Sequence, residues 1–164
     1  MWSPLYRRGT WITILLIVFH ELTGINAIML YSNEIFKQMS SAGTSSISPR
    51  TGTYLVGLCN FLGQLFAVFI IRRFPRRTLL IPGHLLIALC HLLVGVCAIQ
   101  GLDTGVLAMI LLFLVVYEIT NGPIIWLYVS EVVVDSALGV CIFALWGVAL
   151  LLTLTTNFMM KSAL

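Results

Sequence analysis

The chain of 164 residues is 60% hydrophobic and only 9% charged, and its formal net charge is +3. A soluble domain carries roughly a quarter charged residues, because polar and charged groups must cover its surface in water. This composition excludes an ordinary soluble domain. It predicts an integral membrane protein whose outer surface faces lipid.

Five apolar stretches are long enough to cross the membrane, because spanning about 30 Å of hydrocarbon takes roughly 20 helical residues. In chain order they are residues 10–32, 52–71, 78–100, 106–130 and 138–160. The segments between them are polar, charged or glycine-bearing, as turns between helices are: Asn33–Thr51, Arg72–Arg77, Gly101–Gly105 and Glu131–Ala137. The sequence therefore predicts an all-α membrane protein with about five transmembrane helices.

Basic residues cluster on one predicted side of the membrane. Arg7 and Arg8 precede the first span, and four arginines lie in Arg72–Arg77 between the second and third spans. The positive-inside rule then places the N-terminus and the Arg72–Arg77 loop in the cytoplasm and the Ser/Thr-rich segment Met39–Ser48 outside. An arginine block between two spans sets topology or contacts lipid headgroups, so no nucleic-acid partner is expected.

Polar side chains inside the spans point to function, because ionisable groups at membrane depth are costly and usually face a cavity or a partner. Asn60 and Gln64 are four residues apart and therefore share one helical face. The other polar residues within the spans are His20, Glu21, Asn26, His84, His91, Glu118 and Asn121. His84 and His91 are interpreted as packing residues.

Two spans carry helix interruptions beside these polar groups. Pro123 cannot donate a hydrogen bond to the carbonyl of Ile119, and a free carbonyl is tolerated in the membrane only inside protein or beside water. Glu118 lies one turn before this break and Trp126 one turn after it, and such groups suit a polyhydroxylated ligand. A second interruption is predicted at Thr23-Gly24, and interrupted helices are typical of transport sites.

Three motifs resemble the sugar porter branch of the major facilitator superfamily. The segment from His20 to Ala27, followed by Tyr31-Ser32, resembles the seventh helix of that family. Arg73–Arg77 is similar to its short basic loop after the eighth helix. Glu118, Gly122–Trp126 and Ser130-Glu131 look like its tenth helix. The motifs occur in the family's order, and the resemblance covers almost the whole chain.

The resemblance implies that residues 1–164 form a partial transporter domain, the C-terminal half of a twelve-helix carrier from the seventh to about the eleventh helix. The implied partners are a sugar-like solute, the lipid bilayer and a missing N-terminal half. Tyr31 and Pro123 are expected to gate the site, and no cofactor is expected. The implied solute-binding residues are His20, Glu21, Asn26, Asn60, Glu118 and Trp126. The implied cytoplasmic charge network contains Arg73, Arg76, Arg77 and Glu131.

The chain departs from the family pattern in ways that bear on mechanism. His20-Glu21 replaces a pair of glutamines, which leads to the hypothesis that this pair couples transport to protons, since histidine titrates near neutrality. Arg72 stands where the family's basic loop opens with an acidic residue. An arginine that the family has after the tenth helix is Leu138 here, so the cytoplasmic lock has lost two of its members.

Two other functions compete with the carrier. A membrane enzyme would need a nucleophile and base or a metal-ligand spacing, and the sequence contains neither, so an enzyme is not expected. A non-transporting helical bundle, such as a sensor or an incomplete gene product, stays open, because the number of spans is odd. On its own the chain is expected not to transport solute.

Overall fold

The computed structural model describes residues 4–41, 48–133 and 135–162, and every regular element in these ranges is a helix. Five helices come before the last interruption, and they are α1 (Pro4–Glu21), α2 (Ile25–Ser41), α3 (Pro49–Arg73), α4 (Arg76–Ile99) and α5 (Asp103–Thr120). After Asn121 the chain continues as α6 (Gly122–Val132) and α7 (Asp135–Ser162). The helical interruptions predicted at Thr23-Gly24 and before Pro123 are confirmed by the separations of α1 from α2 and of α5 from α6.

Local sequence explains where α3 and α4 begin and end. Ser48 caps α3 by accepting a hydrogen bond from the backbone N–H of Thr51 at 3.2 Å, and a proline occupies the first turn. The helix ends before Phe74, which is extended because a proline follows it. The C-terminal end of α4 is followed by Gly101, which has φ +67°. There Leu102 N donates a hydrogen bond of 2.9 Å to the carbonyl of Cys97.

The segment between α1 and α2 is a tight local turn. Gly24 has φ +79°, a left-handed conformation that glycine adopts without steric cost. The Thr23 hydroxyl donates to the carbonyl of His20 at 2.6 Å, and Gly24 N donates to the carbonyl of Glu21 at 3.1 Å. These bonds satisfy the last carbonyls of α1, so that the helix stops and restarts within a few residues.

Five helical segments are long and apolar enough to cross a membrane, in agreement with the predicted number. They are Arg7–Lys37, Pro49–Arg73, Arg76–Ile99, Asp103–Val132 and Ala137–Met159. Large apolar side chains are exposed along them, among them Phe69, Ile99, Phe143 and Phe158. Exposed apolar surface on this scale is what a lipid-facing protein presents. The chain is therefore a multi-pass membrane protein.

The helices extend beyond the predicted spans. The first span was expected to end at residue 32, yet α2 continues to Ser41. Glu34 and Lys37 lie one turn apart there and form an ion pair of 2.7 Å, which suits a helix end that reaches water. Most of the segment Met39–Ser48, expected outside the membrane, lies outside the described residues. The arginine block is mostly helical, since only Phe74 and Pro75 separate α3 from α4.

The chain divides into two compact units. Unit 1 contains Met1–Ile28 and Ile125–Leu164, and unit 2 contains Met29–Ile124. In unit 1, α1 packs against α7. Its core joins Ile17 of α1 with apolar residues of α6, of α7 and of the turn between them: Ile125, Val129, Val133, Ala137, Cys141 and Leu145.

Unit 2 is organised around α5, which packs against both α3 and α4. Gly83 lets α4 approach α5 closely, because a Cβ at that position would lie 2.5 Å from the Thr120 hydroxyl. Further along, the His91 ring meets the buried Phe113 ring edge-on at a centroid distance of 4.8 Å. Polar groups on α5 are therefore enclosed by its two neighbouring helices.

Candidate functional site

Glu118 is the centre of a polar cluster in unit 2. Its side chain is only 3% exposed, and its Oε1 accepts a hydrogen bond of 2.6 Å from the Asn60 amide on α3. The amide of Gln64, one helical turn further along α3, is also within hydrogen-bonding reach of this carboxylate. The carboxylate is thus held by neutral amide donors inside a membrane-spanning part of the chain.

A glycine on α3 makes this contact possible. A Cβ at Gly63 would lie 2.6 Å from the Cβ of Glu118, closer than real side chains come. Gly63 therefore lets the backbone of α3 approach α5 at the level of the carboxylate, in the way that small residues allow close packing of membrane helices. The Nδ2 of Asn60 also lies 4.0 Å from the Met29 sulfur on α2, so three helices of unit 2 meet here.

The interruption between α5 and α6 follows the cluster directly. Asn121 N still donates to the Tyr117 carbonyl at 2.8 Å, so α5 closes with a helical bond. Pro123, the second residue of α6, has no N–H to offer the carbonyl of Ile119. The Glu118 carboxylate extends toward this break, since its Oε2 lies 3.1 Å from the position that a Cβ on Gly122 would take.

Unit 1 carries a second buried carboxylate at its own helix break. Glu21, the last residue of α1, is 3% exposed, and its Oε2 accepts a hydrogen bond of 2.5 Å from the Asn26 amide. Asn26 is the second residue of α2, so this bond joins the two helices across the Gly24 turn. His20 beside it is also buried.

The remaining predicted residues differ in burial. Trp126 on α6 is 45% exposed, and Tyr31 on α2 and Pro123 are half-buried. Arg73 and Arg77 are exposed, Arg76 is half-buried, and Glu131 is exposed near the end of α6. The structure thus brings together two pairs among the predicted residues, Glu118 with Asn60 and Glu21 with Asn26.

A family model described as sugar (and other) transporter matches residues 1–163. The chain belongs to this family. It is 29% identical to the arabinose-proton symporter of Bacillus subtilis over 153 residues, which cover 90% of this chain and 32% of that protein. It is 31% identical to the galactose-proton symporter of Escherichia coli K12 over 132 residues, or 77% of this chain and 28% of that protein.

Another similar protein comes from an animal. The chain is 34% identical over 134 residues to solute carrier family 2, facilitated glucose transporter member 3 of Oryctolagus cuniculus, which covers 79% of the chain and 26% of that protein. The chain thus spans about a third or less of the length of these curated relatives. As a member of the sugar transporter family it is related to transporters rather than to enzymes.

Two residues that shape the polar cluster around Glu118 were not predicted from the sequence. Gly63 was not singled out, although Gly63 and Ala67 are small residues four apart and both are buried on α3, a pattern typical of tight packing between membrane helices. Met29 was missed because an apolar residue on a span carries no signal for a polar cluster. Among the side chains described, no three His, Cys, Asp or Glu groups are arranged to hold a metal ion.

Proposed function

We propose that the chain is the C-terminal half of a twelve-helix carrier that moves a sugar-like small solute across a membrane by alternating access. Residues 1–164 would form the partial transporter domain, with a separate N-terminal half as its partner. The observation that carries the proposal is the buried Glu118 carboxylate held by Asn60 next to a broken membrane helix.

The chemistry of this cluster suits hydroxyl groups. A carboxylate has about four acceptor positions, and the Asn60 amide uses one of them. The amides of Asn60 and Gln64 add both donors and acceptors, so a ligand with several hydroxyls can be bound from more than one side. Membership in the sugar transporter family supports this choice of ligand.

Other residues take roles in this proposal from the family motifs that they match. Glu21 and Asn26 would contact the solute beside the α1–α2 break, together with His20. Trp126 would offer an aromatic face to an apolar side of a sugar ring. Tyr31 and the Pro123 break would gate access, because interrupted helices can bend where their hydrogen bonds are missing.

The arginines at the α3–α4 junction have a separate role. Arg73, Arg76 and Arg77 would lie in the cytoplasm with the N-terminus, as the positive-inside rule favours. With Glu131 they would form the charge network that closes the carrier on that side.

Proton coupling belongs to the same proposal. Two of the relatives are named proton symporters, and one is named a facilitated transporter. We propose that His20 and Glu21 carry the proton, because a carboxylate and an imidazole at a helix break inside the membrane can exchange one. Solute uptake that does not change with pH, both in a protein that joins the chain to an N-terminal half and in its Glu21→Gln variant, would remove this part of the proposal.

Solute uptake tests the carrier function. The chain is expressed alone, and also joined behind the N-terminal half of the Escherichia coli galactose-proton symporter, in cells that take up neither hexoses nor arabinose. Labelled arabinose, galactose and glucose are the solutes. We expect uptake only from the joined protein, with a loss of about tenfold or more for Glu118→Ala and Asn60→Ala, since each removes a charged hydrogen bond.

Leu58→Ala is the matched control, because Leu58 is exposed on the same helix as Asn60 and should leave uptake unchanged. Western blots of membrane fractions must show equal amounts of each variant. Uptake by the chain alone would contradict its role as one half of a carrier. A joined protein that inserts correctly but moves none of the solutes would favour a non-transporting bundle instead.

A further inference from the structure

Asn121 lies at the break between α5 and α6, and nothing in the proposed carrier function uses its side chain. The residue is 0% exposed, and neither its Oδ1 nor its Nδ2 has a hydrogen-bond partner in the part of the chain that the structure describes. A buried polar group without a partner is costly, and native proteins keep one where an ion, a water or a ligand completes the site. The side chain therefore marks a place for an additional ligand.

The backbone at the same break offers a second oxygen. Because Pro123 has no N–H, the carbonyl of Ile119 cannot accept the usual helical bond from that position. This carbonyl belongs to the last turn of α5, where the helix dipole makes the local field negative. Carbonyls at the C-terminal ends of broken membrane helices are known cation ligands.

Glu118 supplies a carboxylate at the same break. It stands three residues before Asn121, and residues at this spacing are neighbours on one face of a helix. Its partners Asn60 and Gln64 are neutral amides, so neither brings a positive charge to the carboxylate.

Basic residues on α3 and α5 are distant from this carboxylate. The span Asp103–Val132 contains no Lys, Arg or His. On α3, Arg50 and Arg72 are ten and twelve residues from Asn60, which is about 15 and 18 Å at the rise of a helix. The Glu118 carboxylate thus has no basic side chain within reach on α3 or α5.

The titratable groups on α4, the other helix packed against α5, are engaged elsewhere. His84 Nδ1 lies 2.8 Å from the Leu80 carbonyl, and His91 Nδ1 lies 3.0 Å from the Ile87 carbonyl. Each of these bonds is to the histidine's own helix, and His91 also packs on Phe113. The other titratable side chains on α3 and α4, apart from the arginines at the helix ends, are Tyr54 and the thiols of Cys59, Cys90 and Cys97.

We propose that a monovalent cation binds at the α5–α6 break, held by the Glu118 carboxylate, the Asn121 Oδ1 and the Ile119 carbonyl. Carboxylate, amide and carbonyl oxygens are the ligands that hard cations take. A water could satisfy the Asn121 amide, whereas a cation would also offset the charge of the Glu118 carboxylate. The inference rests on the same site as the proposed carrier function but is tested by cation binding, so that either can fail alone.

Thermal unfolding of the purified chain in detergent tests the proposal. Cys90 and Cys141 are buried free thiols, so their reaction with a thiol-reactive dye reports unfolding above the baseline set by the partly exposed Cys59 and Cys97. The Tm is measured at constant ionic strength while NaCl or KCl replaces choline chloride. We expect a saturable rise in Tm with Na⁺ or K⁺, because a ligand that binds only the folded state stabilises it.

Two variants locate the site. Glu118→Gln and Asn121→Leu should weaken the apparent cation affinity by about tenfold or more, since each removes a direct ligand. Glu34→Gln is the matched control, because it also removes one carboxylate, but from the exposed ion pair with Lys37. It should keep the full cation response.

Binding of ²²Na⁺ to the purified chain without substitutions is measured as well, so that the proposal can be decided even if a variant fails to fold. Saturable binding that excess unlabelled NaCl displaces supports the site. No binding of ²²Na⁺ and no response of the Tm to Na⁺ or K⁺ would overturn it. A Tm that responds to pH alone would assign the carboxylate to a proton, and an unchanged response in Asn121→Leu would remove the break as the cation's location.

Discussion

The two buried carboxylates of this chain are held in different ways. Glu21 is bound by Asn26, only five residues later, across a turn that Gly24 makes possible. Glu118 is bound by Asn60, 58 residues earlier on another helix. The first contact depends on the local backbone, whereas the second depends on how closely α3 packs against α5. The same carboxylate–amide pair is thus built once by a turn and once by helix packing.

This difference predicts which substitutions disturb each pair. A change at the Gly24 turn should alter Glu21 without moving the helices of unit 2, and a change at the α3–α5 contact should alter Glu118 without affecting the turn. Substitutions distant from one another usually act additively. Substitutions at other glycines of the chain serve as controls that separate the two cases.

The largest effect is expected from Gly63→Leu. Even a Cβ at this position would lie 2.6 Å from the Glu118 Cβ, so the larger side chain must force α3 and α5 apart and break the Asn60 hydrogen bond. We expect a loss of about 3 kcal/mol in the free energy of unfolding, at the upper end for overpacked cores. Thermal unfolding of the chain in detergent, followed with the thiol-reactive dye, measures the loss.

Gly57→Leu is the control on the same helix, because a Cβ there meets nothing within 4 Å. It should leave stability unchanged or raise it slightly, since leucine favours helix more than glycine does. Equal losses in the two variants would show that α3 and α5 are not in close contact at Gly63.

The sequence predicted the local features of the fold better than the packing. The five spans followed from long apolar stretches, and both helix breaks followed from Thr23-Gly24 and Pro123, because these signals lie in a few adjacent residues. The continuation of α2 past residue 32 was not predicted. The span was defined by its apolar residues, and the charged Glu34 and Lys37 are typical of a loop between spans.

The candidate site shows the same limit. The resemblance to sugar porters singled out Asn60 and Glu118, but the hydrogen bond between them could not be predicted from either span alone. That bond requires α3 and α5 to approach at Gly63, a contact between residues far apart in sequence. The burial of Asn121 is equally a result of packing, since an asparagine beside a proline could as well face water.

A smaller effect is expected from Gly24→Ala. The backbone there has φ +79°, and an L-residue in this conformation costs about 1–2 kcal/mol. The chain can relieve the strain by changing the turn, which would separate Asn26 from Glu21. The thermal unfolding assay should show a loss of this size. Gly139→Ala is the control, because a Cβ on that helical glycine meets nothing within 4 Å, and a loss as large as that of Gly24→Ala would contradict the role of the turn.

The smallest effect tests the energy of the long-range pair itself. A double-mutant cycle with Asn60→Leu and Glu118→Gln should give a coupling of about 1 kcal/mol, because polar contacts between membrane helices are individually weak. The matching cycle at Glu34 and Lys37, two half-exposed side chains on α2, should give about 0.5 kcal/mol or less. If the two couplings are equal, burial adds nothing to the Asn60–Glu118 bond. The packing of α3 on α5 would then keep the Glu118 carboxylate buried, and the Asn60 amide would add no stabilisation beyond that of an exposed pair.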